Sequence, residues 1–127
     1  MDAVFREFLS RYEDGPCFYI EAADIDRWAG NIGVPWSKFL DLISAELARR
    51  YEAGMIGYEF GDAIANDLWS ALMERSCQVS NDDWPKLCQA VYFAFDAGEY
   101  RRKKDGDADP VELYTVPAIS QIVANLG

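Results

Sequence analysis

Histidine is absent from the 127 residues of this chain. Its absence excludes serine–histidine and cysteine–histidine catalysis, a histidine general base and most zinc sites, because each of these needs an imidazole. An enzyme with this sequence would have to use carboxylates, lysine, tyrosine or a thiol, and the chain contains no catalytic motif built from them. We therefore expect a protein that is not an enzyme and that needs no cofactor.

Cysteine is scarce, and long apolar runs are missing. Cys17, Cys77 and Cys88 are odd in number and form no CxxC pair, whereas a disulfide framework uses an even number of cysteines. We expect three buried free thiols in a reducing cytoplasm. No apolar run has the length of a membrane span, and residues 1–10 lack the basic start and apolar centre of a signal peptide. The sequence thus predicts a cytoplasmic protein that does not bind membranes.

Basic residues are few: 12 stand against 22 acidic ones, and the net charge is −10. Residues 1–35 hold seven acids and three bases, and residues 58–100 hold eight acids and two bases. Such a negative field repels nucleic acid, which needs a cationic surface, and it attracts basic proteins. We expect a basic protein partner and no nucleic-acid partner.

The apolar residues recur at helical spacing along most of the chain. This pattern predicts an all-α fold, a single domain over residues 1–127 with five or six packed helices. Gly33 with Pro35, and later Gly54, are predicted to end helices. The predicted core positions are Val4, Phe8, Leu9 and Tyr12; Ile25, Trp28, Ala29 and Ile32; Trp36, Phe39, Leu40, Ile43, Leu47 and Tyr51; Phe60, Ile64, Leu68, Ala71 and Leu72; Leu87, Cys88, Val91, Phe95 and, as a further candidate, Tyr92; and Ile119, Ile122, Val123 and Leu126.

Two segments have a pattern that fits more than one structure, and a third is predicted to begin a helix. Residues 17–20, CFYI, could form a short strand or a buried loop, and residues 111–115, VELYT, could form a short extended piece. The acids and amide of residues 81–83 precede Trp84-Pro85 and are predicted to begin a helix. Thr115 is predicted to cap the last helix.

A charged loop occupies residues 101–112. Asp105, Asp107 and Asp109 resemble the start of an EF-hand calcium loop, which needs glycine at its sixth position and glutamate at its twelfth. Those places hold Pro110 and Val116. The four cations of residues 101–104 precede four acids, so the charges can neutralise one another. The sequence predicts a solvated loop and no metal site.

One helical face carries polar residues and a tryptophan. Glu59, Asp62, Asn66 and Trp69 recur at spacings of three, four and three, roughly opposite the apolar stripe. The face could be solvated, could bind a protein, or could hold metal as the carboxylate bundles do, although those bundles use Glu-x-x-His pairs. Tryptophan is enriched at binding hot spots, which favours the second interpretation over the third.

The sequence FDAGEY places two more acids near a helix end. Asp96 and Glu99 there oppose the helix dipole at about 0.3–1 kcal/mol each, and Gly98 is predicted to reverse the chain. Either Arg101 or Arg102 pairs with these acids, or a partner supplies the cations. The predicted partner-binding residues are Glu59, Asp62, Asn66, Asp96, Glu99 and Tyr100.

The stretches YEFGDAIANDLW, VYFAFDAGEY and DPVELYTVPAI lie within residues 58–119. Together they resemble small acidic bacterial immunity proteins of polymorphic-toxin and contact-dependent inhibition systems. The chain lacks the paired-tyrosine motif of the nuclease-colicin immunity proteins. The resemblance implies a non-enzymatic antidote that neutralises a toxin domain, and an acidic surface suits a basic toxin such as a nuclease. The alternatives are a general cytoplasmic protein-interaction or adaptor domain and a carboxylate-based metal protein.

Overall fold

The structure is a computed structural model, and it describes residues 1–14 and 20–126. These residues form six α-helices and no β-strand, which confirms the all-α prediction. The helices are α1 (Asp2–Asp14), α2 (Ala22–Ile32), α3 (Trp36–Glu52), α4 (Tyr58–Glu74), α5 (Lys86–Asp96) and α6 (Val116–Asn125). Within the described ranges, no helix is both long and apolar enough to cross a membrane.

Helix α3 is the centre of the fold, because it packs against α2, α4, α5 and α6. Its residues Phe39, Leu40, Ile43 and Leu47 are at most 1% exposed, as their helical spacing predicts. They belong to one hydrophobic cluster with side chains from all six helices. The burial of this shared cluster positions α4 and α5 side by side, and these two helices carry the candidate site.

Backbone and side-chain contacts set the helix ends. Gly33 and Gly54 follow the ends of α2 and α3, as predicted, with positive φ angles of 72° and 75°; the left-handed conformation itself was predicted for Gly54. The start of α5 was predicted wrongly. Residues 81–83 form a separate 3₁₀ turn, and α5 begins only at Lys86. Its first turn is capped by Asp41 of α3, whose carboxylate accepts the Cys88 backbone N–H at 3.0 Å.

A network of charged side chains joins α1 to α2. Arg11 donates to both carboxylate oxygens of Asp24 at 2.9 Å. Arg27 donates to Glu7 at 2.8 Å. Hydrogen bonds and charge from Arg11, partly opposed by burial, hold the pKa of Asp24 well below its usual range. The acidity of the first 35 residues is therefore partly neutralised within the fold.

Some predicted core positions lie at the surface. Leu9 is 46% exposed and Ile32 is 49% exposed, whereas Phe5, which the stripe omitted, is buried. Only one face of α1 contacts the core, and the side chains buried on that face are Phe5 and Phe8. Cys77 is exposed and Cys88 is buried, so the prediction of buried thiols is wrong for Cys77; Cys17 lies outside the described residues.

The segment before α6 is helical and not extended. Val111–Thr115 is a π-helical turn that continues directly into α6. Thr115 does not cap α6. Instead it is fully buried, and its hydroxyl donates to the carbonyl of Ala94 at 2.7 Å. A buried hydroxyl needs a hydrogen-bond partner, and the Ala94 carbonyl supplies it. Three of the four residues 17–20 lie outside the described part of the chain.

Candidate protein-binding site

The packing of α5 against α4 brings four polar residues together. Asp62 and Asn66 lie one turn apart on α4, and Asp96 and Glu99 lie at the end of α5 and in the turn that follows. The Asn66 side-chain amide donates to the Asp62 backbone carbonyl at 2.9 Å and to the Glu99 carboxylate at 3.4 Å. The two acidic segments that the sequence places 34 to 37 residues apart therefore form a single cluster.

Glycine at position 98 permits this close approach. Gly98 is buried, and a Cβ atom there would lie 2.3 Å from the Thr115 hydroxyl oxygen and 3.1 Å from the Tyr58 hydroxyl oxygen. The chain turns at residues 97–98, as predicted for Gly98. Its φ angle is not positive, so glycine is required there for space and not for a left-handed conformation. The Tyr58 hydroxyl donates to the Phe95 carbonyl at 2.7 Å, which fixes the end of α5 against α4.

The cluster concentrates negative charge around Asp62. Its side chain is half-buried, and its Oδ1 atom is inaccessible and has no hydrogen-bond partner among the described residues. Burial, the charge of Glu99, a carboxyl–carboxyl hydrogen bond with Glu99 and the charge of Asp96 raise the pKa of Asp62 to about 7. Burial and then the same three acids also raise the pKa of Tyr92.

The cations that follow in the sequence turn away from these acids. Arg101 donates to the backbone carbonyl of Asp107 at 3.1 Å. Arg102 donates to the carbonyl of Ala97 at 2.9 Å, and its guanidinium carbon lies 4.2 Å from the ring centre of Tyr100 and 3.8 Å from that of Tyr114. Across residues 1–14 and 20–126, no arginine or lysine forms an ion pair with the cluster. Local pairing with Arg101 or Arg102 is therefore excluded.

An aromatic platform continues the cluster along α4 and α5. The rings of Trp69 and Tyr92 are stacked, 4.6 Å apart with an interplanar angle of 6°. Phe93 lies against both rings at 5.7 Å and 5.5 Å, and 50% of it is exposed. The acidic–aromatic face, as we call this surface, consists of Asp62, Asn66, Trp69, Tyr92, Phe93, Asp96 and Glu99.

The structure thus assembles four of the six predicted binding residues. Glu59 is exposed in the first turn of α4, three residues before Asp62, and the hydrogen bonds of the cluster do not include it. Tyr100 is 54% exposed, but its ring stacks on Arg102. The predicted polar face of α4 does not lie opposite the core, because Asp62 and Trp69 are partly buried beside α5.

Sequence reasoning missed Phe93 as a binding residue. In α5 the buried residues are Cys88, Val91, Ala94 and Phe95. Phe93 lies about 200° around the helix from Val91. A large apolar residue outside the core stripe was the available signal, and its half-exposed ring now forms the outermost part of the platform.

The charged loop is held by its own contacts. Tyr114 donates its hydroxyl to Asp105, and the Asp109 carboxylate accepts the backbone N–H of Val111 at 3.0 Å. Gly106 supplies a positive φ of 61° in the same loop. In the described part of the chain, no group of three or more His, Cys, Asp or Glu side chains could hold a metal ion. The side chains of Asp105 and Asp109 therefore take part in the packing of the loop.

No protein-family model matches this chain, and no curated protein or solved structure matches it significantly. A functional assignment must therefore come from the acidic–aromatic face itself. That surface combines carboxylates that form no ion pair within the described residues with the half-exposed ring of Phe93.

Proposed function

We propose that this protein is a non-enzymatic immunity protein that binds and neutralises a basic bacterial toxin domain through its acidic–aromatic face. The observation that carries the proposal is the acidic cluster of Asp62, Asp96 and Glu99, with which no cation of the described residues forms an ion pair. The resemblance of residues 58–119 to bacterial immunity proteins supports the same assignment.

An unpaired cluster lowers the stability of the free protein. Carboxylates held close together repel one another, and partial burial of Asp62 adds a desolvation cost. Groups kept at the expense of stability are typical of functional sites. An arginine or lysine from a partner would relieve the repulsion and would supply the missing hydrogen bonds, so the cost is recovered on binding.

The aromatic platform supplies the apolar part of such an interface. Interfaces combine a buried apolar centre with a polar rim, and aromatic residues dominate their binding energy. Trp69 and Tyr92 hold each other in place by stacking, and this leaves Phe93 presented to solvent on a rigid support. A partner arginine could stack on these rings while pairing with Asp96 or Glu99.

The charge of the face also suits a toxin that acts on nucleic acid. The catalytic cleft of such a toxin must be basic to bind phosphates. A protein surface that presents carboxylates can occupy the same cleft, and the net charge of −10 would speed the encounter. A general adaptor domain would use the same face, and the toxicity of the captured partner distinguishes the two functions.

The first experiment is affinity capture from the source cells with the wild-type protein and with Asp96→Lys and Phe93→Ala variants. The matched controls are Glu74→Lys, which reverses an exposed acid at the other end of α4, and Leu113→Ala, which truncates a residue that is 44% exposed. We expect a basic protein that the wild type and both controls retain and that the two face variants lose. Circular dichroism would verify that all variants fold.

The second experiment tests neutralisation. The captured partner is expressed in a heterologous host with and without the wild-type protein or the Asp96→Lys variant. We expect growth arrest that the wild type prevents and the variant does not. A captured partner that is not toxic would support the adaptor function instead, and a partner whose capture does not depend on the face would refute the proposed site.

A further inference from the structure

A second surface lies between α1 and the connection from α3 to α4. It is a groove of about 540 Å³ that shares no residue with the acidic–aromatic face. Two apolar residues on its walls are strongly exposed: Leu9 at 46% and Met55 at 67%. The apolar and aromatic lining residues are Phe5, Leu9, Tyr12, Met55, Ile56 and Phe60.

Helix α1 forms one wall of this groove and carries two exposed charges of opposite sign, of which Arg6 lines the groove. Arg6 lies three residues before Leu9 and Glu13 lies four residues after it. At 100° per residue the two charges are about 20° apart around the helix, so they lie on the same edge about two turns apart. Both side chains are exposed, and neither forms an ion pair with another described residue.

We propose that the occupant of this groove is α1 of a second copy of this chain, packed antiparallel about a two-fold axis close to Leu9. A two-fold axis makes the interface self-complementary, so every contact occurs twice. The two Leu9 side chains meet at the centre, and each fills the groove of the other copy beside Met55.

Charge complementarity selects this arrangement. With the axis near Leu9, Arg6 lies about 4.5 Å along the helix from the axis and Glu13 about 6 Å on the other side, at 1.5 Å per residue. The antiparallel copy therefore places its Glu13 opposite Arg6, on the same edge, and the pair is repeated by the symmetry. A parallel pair of α1 helices would instead set Arg6 against Arg6 and Glu13 against Glu13, which is repulsive.

The net charge limits the strength of the dimer but does not forbid it. Two chains of charge −10 repel each other. At physiological ionic strength, however, charges farther apart than about 8 Å are largely screened. The apposed Arg6–Glu13 pairs and the buried Leu9 contacts act at short range, so a concentration-dependent dimer is expected at this ionic strength.

The test is sedimentation equilibrium over protein concentrations from low micromolar to several hundred micromolar. The proteins compared are wild type, Arg6→Glu, Glu13→Arg, the variant with both charge changes, Leu9→Glu and the control Ile32→Glu. Each single reversal replaces both attractive pairs by repulsive ones and should weaken dimerisation about tenfold or more. The double swap restores opposite charges and should return to within about threefold of wild type. Ile32, 49% exposed on α2, lies outside the groove, so its variant should dimerise normally.

Each outcome either supports or overturns the proposed dimer. Loss of the dimer in Leu9→Glu and in both single reversals, with rescue in the double swap, supports the proposal. A wild type that stays monomeric over the whole range overturns it and leaves the groove to another occupant. A dimer that is lost in Leu9→Glu but indifferent to both reversals overturns the antiparallel register. Thermal melts verify that each variant is folded.

Discussion

Replacement of Asp62 by asparagine should stabilise this protein at neutral pH. Asparagine keeps the size and shape of the side chain but removes its charge, and its amide can donate to the Glu99 carboxylate. The substitution therefore removes the repulsion among Asp62, Asp96 and Glu99 and leaves the packing of α4 against α5 in place. Most substitutions of partly buried residues destabilise a protein. An increase in the free energy of unfolding would therefore point specifically to repulsion within the cluster.

The magnitude follows from the pKa of Asp62. Its value is raised from 3.8 to about 7. Because each pKa unit corresponds to about 1.36 kcal/mol, the gain in unfolding free energy on removing the charge is at most about 4 kcal/mol. Because Asp62 is only half-buried, solvent screening reduces the expected gain to about 1–2 kcal/mol. Below pH 4 the carboxyl is protonated in both states and carries no penalty. As pH rises, the unfolded chain releases this proton before the folded protein does, so the penalty grows between about pH 4 and pH 7 and then stays constant.

The assay is urea denaturation of wild type and Asp62→Asn at pH 4, 6 and 8. The difference in unfolding free energy should be smallest at pH 4 and largest at pH 8. Glu59→Gln is the matched control, because it removes one negative charge from the exposed first turn of the same helix and should change stability by less than about 0.5 kcal/mol. A destabilised Asp62→Asn protein, or a gain that does not vary with pH, would refute the description of the cluster as repulsive.

Three further predictions concern the close packing at Gly98, the ion-pair network between α1 and α2, and the proton bound by Asp62. Gly98→Ala should destabilise the protein by about 1–3 kcal/mol in urea melts, because the new Cβ would lie 2.3 Å from a buried hydroxyl oxygen; Gly30→Ala, which meets no atom within 4 Å, should not. Asp24→Asn should cost about 1–2 kcal/mol at pH 7, and because Arg11 lowers the pKa of Asp24, this loss should shrink as pH falls below about 4. Binding of a cationic partner should release a proton from Asp62 near pH 7, which calorimetry in two buffers of different ionisation enthalpy would detect.

The helical fold could be predicted from periodicity because each helix buries a stripe of large apolar residues. The ends after α2 and α3 were also predictable, since Gly33 and Gly54 supply the left-handed conformation that follows a helix. The π turn at Val111–Thr115 could not be predicted. Its buried Thr115 donates to the carbonyl of Ala94, 21 residues earlier in the chain, and local sequence does not reveal such a contact.

The candidate site could be predicted only in part. The acids of α4 and of the α5 end were each conspicuous in the sequence, but their convergence depends on the packing of the two helices. The orientation of Arg101 and Arg102 decides whether the acids are neutralised, and local sequence allowed both outcomes. The stack of Trp69 on Tyr92 likewise depends on which turn of α4 lies beside which turn of α5, so the exposed position of Phe93 became clear only in three dimensions.

The central claim is that the acidic–aromatic face binds a basic protein, and its most direct measurement is the binding kinetics of the captured partner at low and at physiological salt. Wild type, Asp96→Lys, Glu99→Lys and the control Glu74→Lys would be compared. If the acids steer the encounter, the two face variants should associate more slowly, with a weaker dependence on salt, whereas the control should resemble wild type. An acid that is fully desolvated in the complex should also raise the dissociation rate. Unchanged rates in natively folded face variants would contradict the account and would place the interface elsewhere on the protein.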